Sequence, residues 1–222
     1  MRKLQYYSII SLFLFITSSC LNYEQVTTIR TDSSGEMFIH YYTNLNSWQD
    51  TLILSNLGLF NSDSLRKQFT SHYAVIERID VFEDFSDSTI HSQIELTFNN
   101  FDSLKQTNTF RNAEFSIKDG PDNTKIFSQF ILPFVTGFGF NLKDYKISYT
   151  YYLPGKILNH NATEKSNNKL IWSFYLDEIG KGKTITASYR PFRLKETPSW
   201  IYYLALLVVL VVIIFLFKKK RA

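Results

Sequence analysis

The chain has 222 residues and a formal net charge of +4, from 24 Lys and Arg against 20 Asp and Glu. Setting aside Arg2, Lys3 and the four basic residues at 218–221 leaves 18 basic against 20 acidic, so the interior has no positive excess and nucleic acid loses its electrostatic warrant as a partner. Aromatic residues make up 17% of the chain while Gly and Pro number only 8 and 5, which suits one core-forming domain and excludes a disordered chain.

Met1-Arg2-Lys3 followed by the apolar run Tyr6 to Ile16 has the pattern of a signal peptide, here residues 1–19. Thr17-Ser18-Ser19 precedes Cys20, the only cysteine, and resembles a bacterial lipobox in which Cys20 is the lipidation site and the mature N-terminus. Thr17 stands where such boxes usually carry Leu. Cleavage nearby with a free thiol, or an uncleaved anchor helix, are the alternatives. A single Cys excludes an intramolecular disulfide, so the fold must rest on its core.

Residues 20–190 form the expected exterior domain. Glu24 to Thr31 and Met37 to Thr43 alternate as strands around the turn residues Asp32-Ser33-Ser34-Gly35, which predicts a hairpin. Leu45, Trp48, Leu52, Ile53, Leu57 and Phe60 recur at helical spacing and predict a helix that covers a sheet. A second short helix is expected from Ser62 or Asp63, carrying Leu65 and Phe69. Tyr73 to Phe85 and Ile90 to Phe98 form a second expected hairpin, followed by a short helix over 101–107. Ala113 to Lys118 pairs with Lys125 to Leu132 across the turn at 119–123. Tyr145 to Leu153, Ile157 to Asn161, Leu170 to Tyr175 and Lys183 to Tyr189 supply four more strands. The fold class expected is α+β, a mainly antiparallel β-sheet with two or three short helices, plus one C-terminal transmembrane helix.

That last helix is expected over 200–217, after a linker at 191–199 and before a basic cytoplasmic tail at 218–222. Ile201 to Phe217 is an unbroken apolar run. As helix it would reach about 26 Å, close to the roughly 30 Å core of a bilayer. With the signal peptide, it implies a single-pass protein of the bacterial cytoplasmic membrane, its domain outside and its C-terminus in the cytoplasm.

No catalytic motif withstands inspection, and the chain is expected to be no enzyme, with no cofactor. The four histidines, His40, His72, His91 and His160, fall in separate elements without ligand spacing, and no metal site is expected. Asp80, Glu83, Asp84 and Asp87 match no calcium-loop spacing. Gly182-Lys183-Thr184 lacks the first glycine of a phosphate loop and is a turn. Residues 77–122 hold ten acidic and four basic side chains, and 143–195 the reverse. Complementary strands pairing within one sheet, or a basic half facing anionic headgroups, would each account for this. Pro133 to Phe140 is the candidate functional surface: Phe134, Phe138 and Phe140 share strand parity, and Gly137 and Gly139 leave the other face bare for a close approach. Core packing at a sheet bend is the alternative.

The segment Leu153 to Phe174, with Pro154-Gly155, Asn161-Ala162 and Trp172, resembles the membrane-proximal signature of LppM-type bacterial lipoproteins. The step Phe98-Asn99-Asn100-Phe101-Asp102 is similar to one earlier in that domain. The resemblance implies a signal peptide, an exterior α+β domain, a C-terminal membrane helix and engagement of membrane glycolipids. The function expected is that of a membrane-anchored envelope lipoprotein binding lipid, glycolipid or another hydrophobic ligand, with membrane lipids as partners and Phe134, Phe138 and Phe140 as ligand-binding residues. The alternative is a protein-interaction or scaffold subunit of a cell-envelope complex, with an envelope protein as partner.

Overall fold

The structure, a computed structural model, describes residues 21–44, 58–133, 143, 145–192 and 199–219, the side chains of the last stretch as far as 213. Strands β1 (Asn22–Ile29) and β2 (Gly35–Asn44) form the first hairpin. Asp32 builds its turn, Oδ1 accepting from Ser34 N at 3.0 Å and Ser34 Oγ at 2.7 Å, the local bonding that makes Asp a turn residue. Helix α1 (Ser62–Phe69) begins where the sequence predicts, with Asn61 Oδ1 accepting from Ser64 N at 2.9 Å as its N-cap. Leu65 and Phe69 are its buried residues.

Strands β3 (Ala74–Asp84) and β4 (Thr89–Phe98) make the second hairpin, and β5 (Ser116–Asp119) and β6 (Lys125–Ile131) the third. Between them Phe101–Gln106 winds as a 3-10 turn capped by Asn100. Then come β7 (Lys146–Tyr152), β8 (Gly155–His160), the unforeseen short β9 (Glu164–Ser166), β10 (Lys169–Tyr175) and β11 (Lys183–Pro191).

These strands divide between two sheets. One has the order β3-β4-β2-β1-β7-β10-β9 and the other β5-β6-β11-β8. All neighbours are antiparallel except β1 and β7. A parallel partner needs a long connection, and here every element from β2 to β6 lies in it.

Period-two alternation turns Gln25, Thr27 and Ile29 of β1 inward, with Met37 and Ile39 of β2, Ile94, Leu96 and Phe98 of β4, and Tyr149 and Tyr151 of β7. The four-stranded sheet answers with Phe127, Ile185, Ala187 and Tyr189. Phe127 joins the layers: its ring centroid lies 4.5 Å from that of Tyr151 and 6.0 Å from that of Trp172. All three side chains are wholly buried, each burial contributing about 1.5–3 kcal/mol.

The architecture is therefore mainly β, with two sheets and few helices, and not the α+β single sheet expected. A second sheet covers the inner face that helices were expected to cover. The helix expected over Leu45 to Phe60 lies outside the described residues, apart from 58–60, which form a turn. The region expected as a helix at 101–107 tightens to a 3-10 turn.

The residues up to Pro191 form one compact unit and those from Phe192 a second. In the second, helix α2 spans Ser199–Lys219. Among the described residues no helix is long and apolar enough to cross a membrane. The expected transmembrane helix is not supported.

The acidic and basic segments do not pair either. β3 and β4 lie at one edge of the larger sheet and β9 and β10 at the other. The ion pairs among the described residues are local: Arg30 with Glu36, Arg78 with Asp80 and Glu95, Lys125 with Asp119, and a 3.9 Å approach of His40 to Glu24.

Candidate functional site

A cavity of about 430 Å³ opens where the two sheets part. Its wall is built by β1, β2 and β7 on one side (Tyr23, Gln25, Tyr41, Ile147, Tyr149) and by the end of β6 on the other (Gln129 to Leu132). Gln68 of α1, Thr109, Phe110 and Ala113 close it, with Leu176 and Leu21. Tyr23, Gln25, Ile147 and Tyr149 reach it because the parity that fills the core deeper down continues to the strand ends. The size and apolar lining are those of a small-ligand pocket.

The tyrosines form a mutual cluster. Tyr23 lies 5.1 Å from Tyr41 and 5.5 Å from Tyr149, centroid to centroid, with tilted planes. Burial raises the Tyr23 hydroxyl well above the usual phenol range, and Tyr149, Tyr41 and Tyr151 add to it. Burial likewise raises Tyr41 and, with a contribution from Tyr41, Tyr149. Burial and Tyr149 raise Tyr151, against hydrogen bonds from Thr27 and Gln25. These phenols stay neutral at any physiological pH.

A hydrogen-bonded chain runs inward from them. Tyr23 Oη donates to Gln25 Oε1 at 2.7 Å, and Gln25 Nε2 donates to Thr27 Oγ1 at 3.0 Å and to Tyr151 Oη at 2.9 Å. Tyr151 Oη donates to Gln129 Oε1. Gln25, Thr27 and Gln129 are the buried polar residues involved. Among the described residues lining the cavity there is no acid and no histidine, and Lys146 is the sole cation. This described wall can hold an apolar body and offer neutral hydrogen bonds.

Cys20 and the three aromatic residues expected to bind ligand, Phe134, Phe138 and Phe140, lie outside the described residues. Ile131 and Leu132, just before that stretch in the chain, line the cavity. The residues that carried the family resemblance are structural: Trp172 Nε1 donates to Asn161 Oδ1 at 2.8 Å, and Gly155 sits where a Cβ would come within 2.3 Å of the Arg190 carbonyl oxygen. Asp102 Oδ1 accepts from Ile117 N at 2.7 Å and ties the 3-10 turn to β5.

Sequence reasoning missed one contact altogether. His40 Nε2 and His91 Nδ1 lie 2.9 Å apart on the outer face of the larger sheet. They sit on β2 and β4, where Tyr42 pairs with His91 and His40 is one diagonal step away. The register between strands separated in sequence was the only signal, and it is not local. No group of three or more possible metal ligands occurs among the described residues.

No family model matches the chain, and no curated protein matches it in sequence. Among solved structures the chain is similar to the folded domain of LppM from Mycobacterium tuberculosis, determined by NMR. The two are 15% identical, with a TM-score of 0.47, over 78% of this chain and 91% of that one. A likeness of this degree says nothing of what the chain binds.

Proposed function

We propose that this is a non-enzymatic envelope lipoprotein whose domain, tethered on the outer side of the cytoplasmic membrane through a lipid on Cys20, binds an acylated lipid or glycolipid in the cavity between its sheets. The observation that carries the reading is the cavity itself, about 430 Å³ and walled by apolar and neutral aromatic side chains. Clefts of roughly 300–1,000 Å³ with such walls and a few fixed polar groups suit small apolar ligands. Lipid extraction of the purified full chain, followed by mass spectrometry, tests it. The wild type should release a stoichiometric acylated species and the Ile147→Trp variant, with an indole placed in the cavity, should release none. A wild-type protein that is empty and indifferent to liposomes would sink the reading.

A second reading, a docking subunit of an envelope complex, is favoured by one observation. β3 is an edge strand, and Val75, Phe82 and Phe85 on its hairpin are 62%, 42% and 83% exposed. Crosslinking in native membranes distinguishes the two: a stoichiometric protein partner lost on Phe85→Ser and retained on Ile147→Trp would favour docking.

A further inference from the structure

The hydrogen-bonded chain in the cavity wall runs from Tyr23 to Gln129. Tyr23 has a proton to give and Gln25 Oε1 accepts it. In this orientation the Gln25 Nε2 faces Thr27 and Tyr151, to which it donates. Tyr151 Oη then accepts from Gln25 and keeps its own proton for Gln129 Oε1. Gln129 Oε1 accepts this bond, so its Nε2, with two N–H donors, stands at the end of the chain.

That end is unusual. Gln129 is only 3% exposed and lines the cavity, and its Nε2 has no hydrogen-bond partner among the described residues, although it is not sealed from solvent as the unpartnered Thr43 Oγ1 and Ser92 Oγ are. An amide donor that a ligand seals from water without giving it an acceptor loses its hydration with nothing in return. An apolar ligand that filled the cavity without supplying an acceptor would incur that cost in full.

The acceptor it meets has a definable chemistry. A carboxylate would bring a charge into a wall whose tyrosines and glutamines are neutral. The only cation among the described lining residues, Lys146, is exposed at the first position of β7. Burying an uncompensated charge costs far more than one hydrogen bond returns. A neutral carbonyl has no such penalty, and Phe110, Ile131, Leu132, Ile147 and Leu176 provide apolar wall for a chain attached to it.

We infer that the cavity selects an esterified acyl chain over a free fatty acid or a bare alkane, with the ester carbonyl accepting from Gln129 Nε2. This rests on the proposed lipid-binding reading and specifies which lipids the site takes.

The test uses the full chain and displacement of the neutral apolar dye Nile red by three probes: methyl laurate, laurate, and tridecane, the alkane of equal carbon count. Methyl laurate should displace the dye at least about tenfold more tightly than tridecane, the equivalent of about one hydrogen bond, and more tightly than laurate. Gln129→Leu should bring the ester down to the alkane's affinity and leave the alkane unweakened. The wild-type ester-to-alkane ratio decides the matter even where the variant fails to fold. Equal affinities for ester and alkane, or a preference for laurate, would overturn the role of Gln129 while leaving lipid binding standing. If none of the three displaces the dye, the lipid-binding reading and this inference fall together.

Discussion

Trp172 and Asn161 hold the two sheets in register. The indole Nε1 of Trp172, on β10 of the larger sheet, donates to Asn161 Oδ1 at 2.8 Å. The same oxygen accepts from Thr186 N at 2.8 Å, and Asn161 Nδ2 donates to the Thr184 carbonyl at 2.8 Å, both on β11 of the smaller sheet. One amide thus serves three partners across the layers. Asn161→Ala should lower stability by about 1–3 kcal/mol, read as the shift in urea midpoint at unchanged slope. Asn161→Asp keeps the two accepted bonds and should lose less than the alanine variant; equal losses would show that Trp172 and Thr186 draw nothing from the oxygen.

A second expected outcome concerns the turn before β11. Gly182 has φ of +112°, and a Cβ there would lie 2.2 Å from the Phe130 ring. Gly180 also has positive φ, +54°, with nothing within 4 Å of its Cβ position. Gly180→Ala should therefore cost only backbone strain, about 1–2 kcal/mol. Gly182→Ala must also displace an aromatic ring and should cost about 3 kcal/mol or more. Since Phe130 lines the cavity, the Gly182 variant should also change dye binding there. Equal thermal midpoints for the two variants would contradict the packing.

Acid should weaken the fold through His40. Burial lowers its pKa, the charge of His91 lowers it further, and Glu24 opposes both. A depressed folded pKa means the unfolded chain takes the proton first as pH falls. The contribution is complete above the ordinary value of about 6.5 and is lost as pH drops through the folded value. Urea midpoints measured from about pH 7 to pH 5 should decline, and His40→Gln should flatten that decline. A variant whose slope equals the wild type's would assign the loss elsewhere.

At the alkaline end the sign reverses. Burial pushes Tyr189 up to about 12, so its neutral form is favoured in the fold. That stability is present below the ordinary phenol value of about 10 and is lost as pH rises through the folded one. Phenolate absorbance followed during an alkaline titration should appear together with unfolding. Tyr189→Phe should move the unfolding pH upward; an unchanged unfolding pH would mean that Tyr189 titrates without consequence.

Three hairpins and the start of α1 at Ser62 were legible in the chain because each rests on neighbours in sequence. Asp32 needs only Ser34 to make its turn, and Asn61 only Ser64 to cap its helix. The polar wall was not legible. Gln25 and Gln129 look like ordinary strand residues, and nothing local says that Tyr151 stands between them. The four histidines gave no ligand spacing, yet β2 and β4 bring His40 and His91 to 2.9 Å.

Alternation, turn chemistry and composition by themselves determined that this chain makes strands, where most of them bend back, and which of their faces are apolar. These are local preferences, settled within a few residues by backbone sterics and side-chain hydrogen bonds. Only the tertiary structure decided that the strands form two sheets and that β1 lies parallel to β7. It alone decided that a cavity opens between the layers, with Gln129 at the end of a chain of hydrogen bonds. Those outcomes depend on which distant surfaces bury one another best, and a pairing across many intervening residues leaves no mark on any one stretch of sequence.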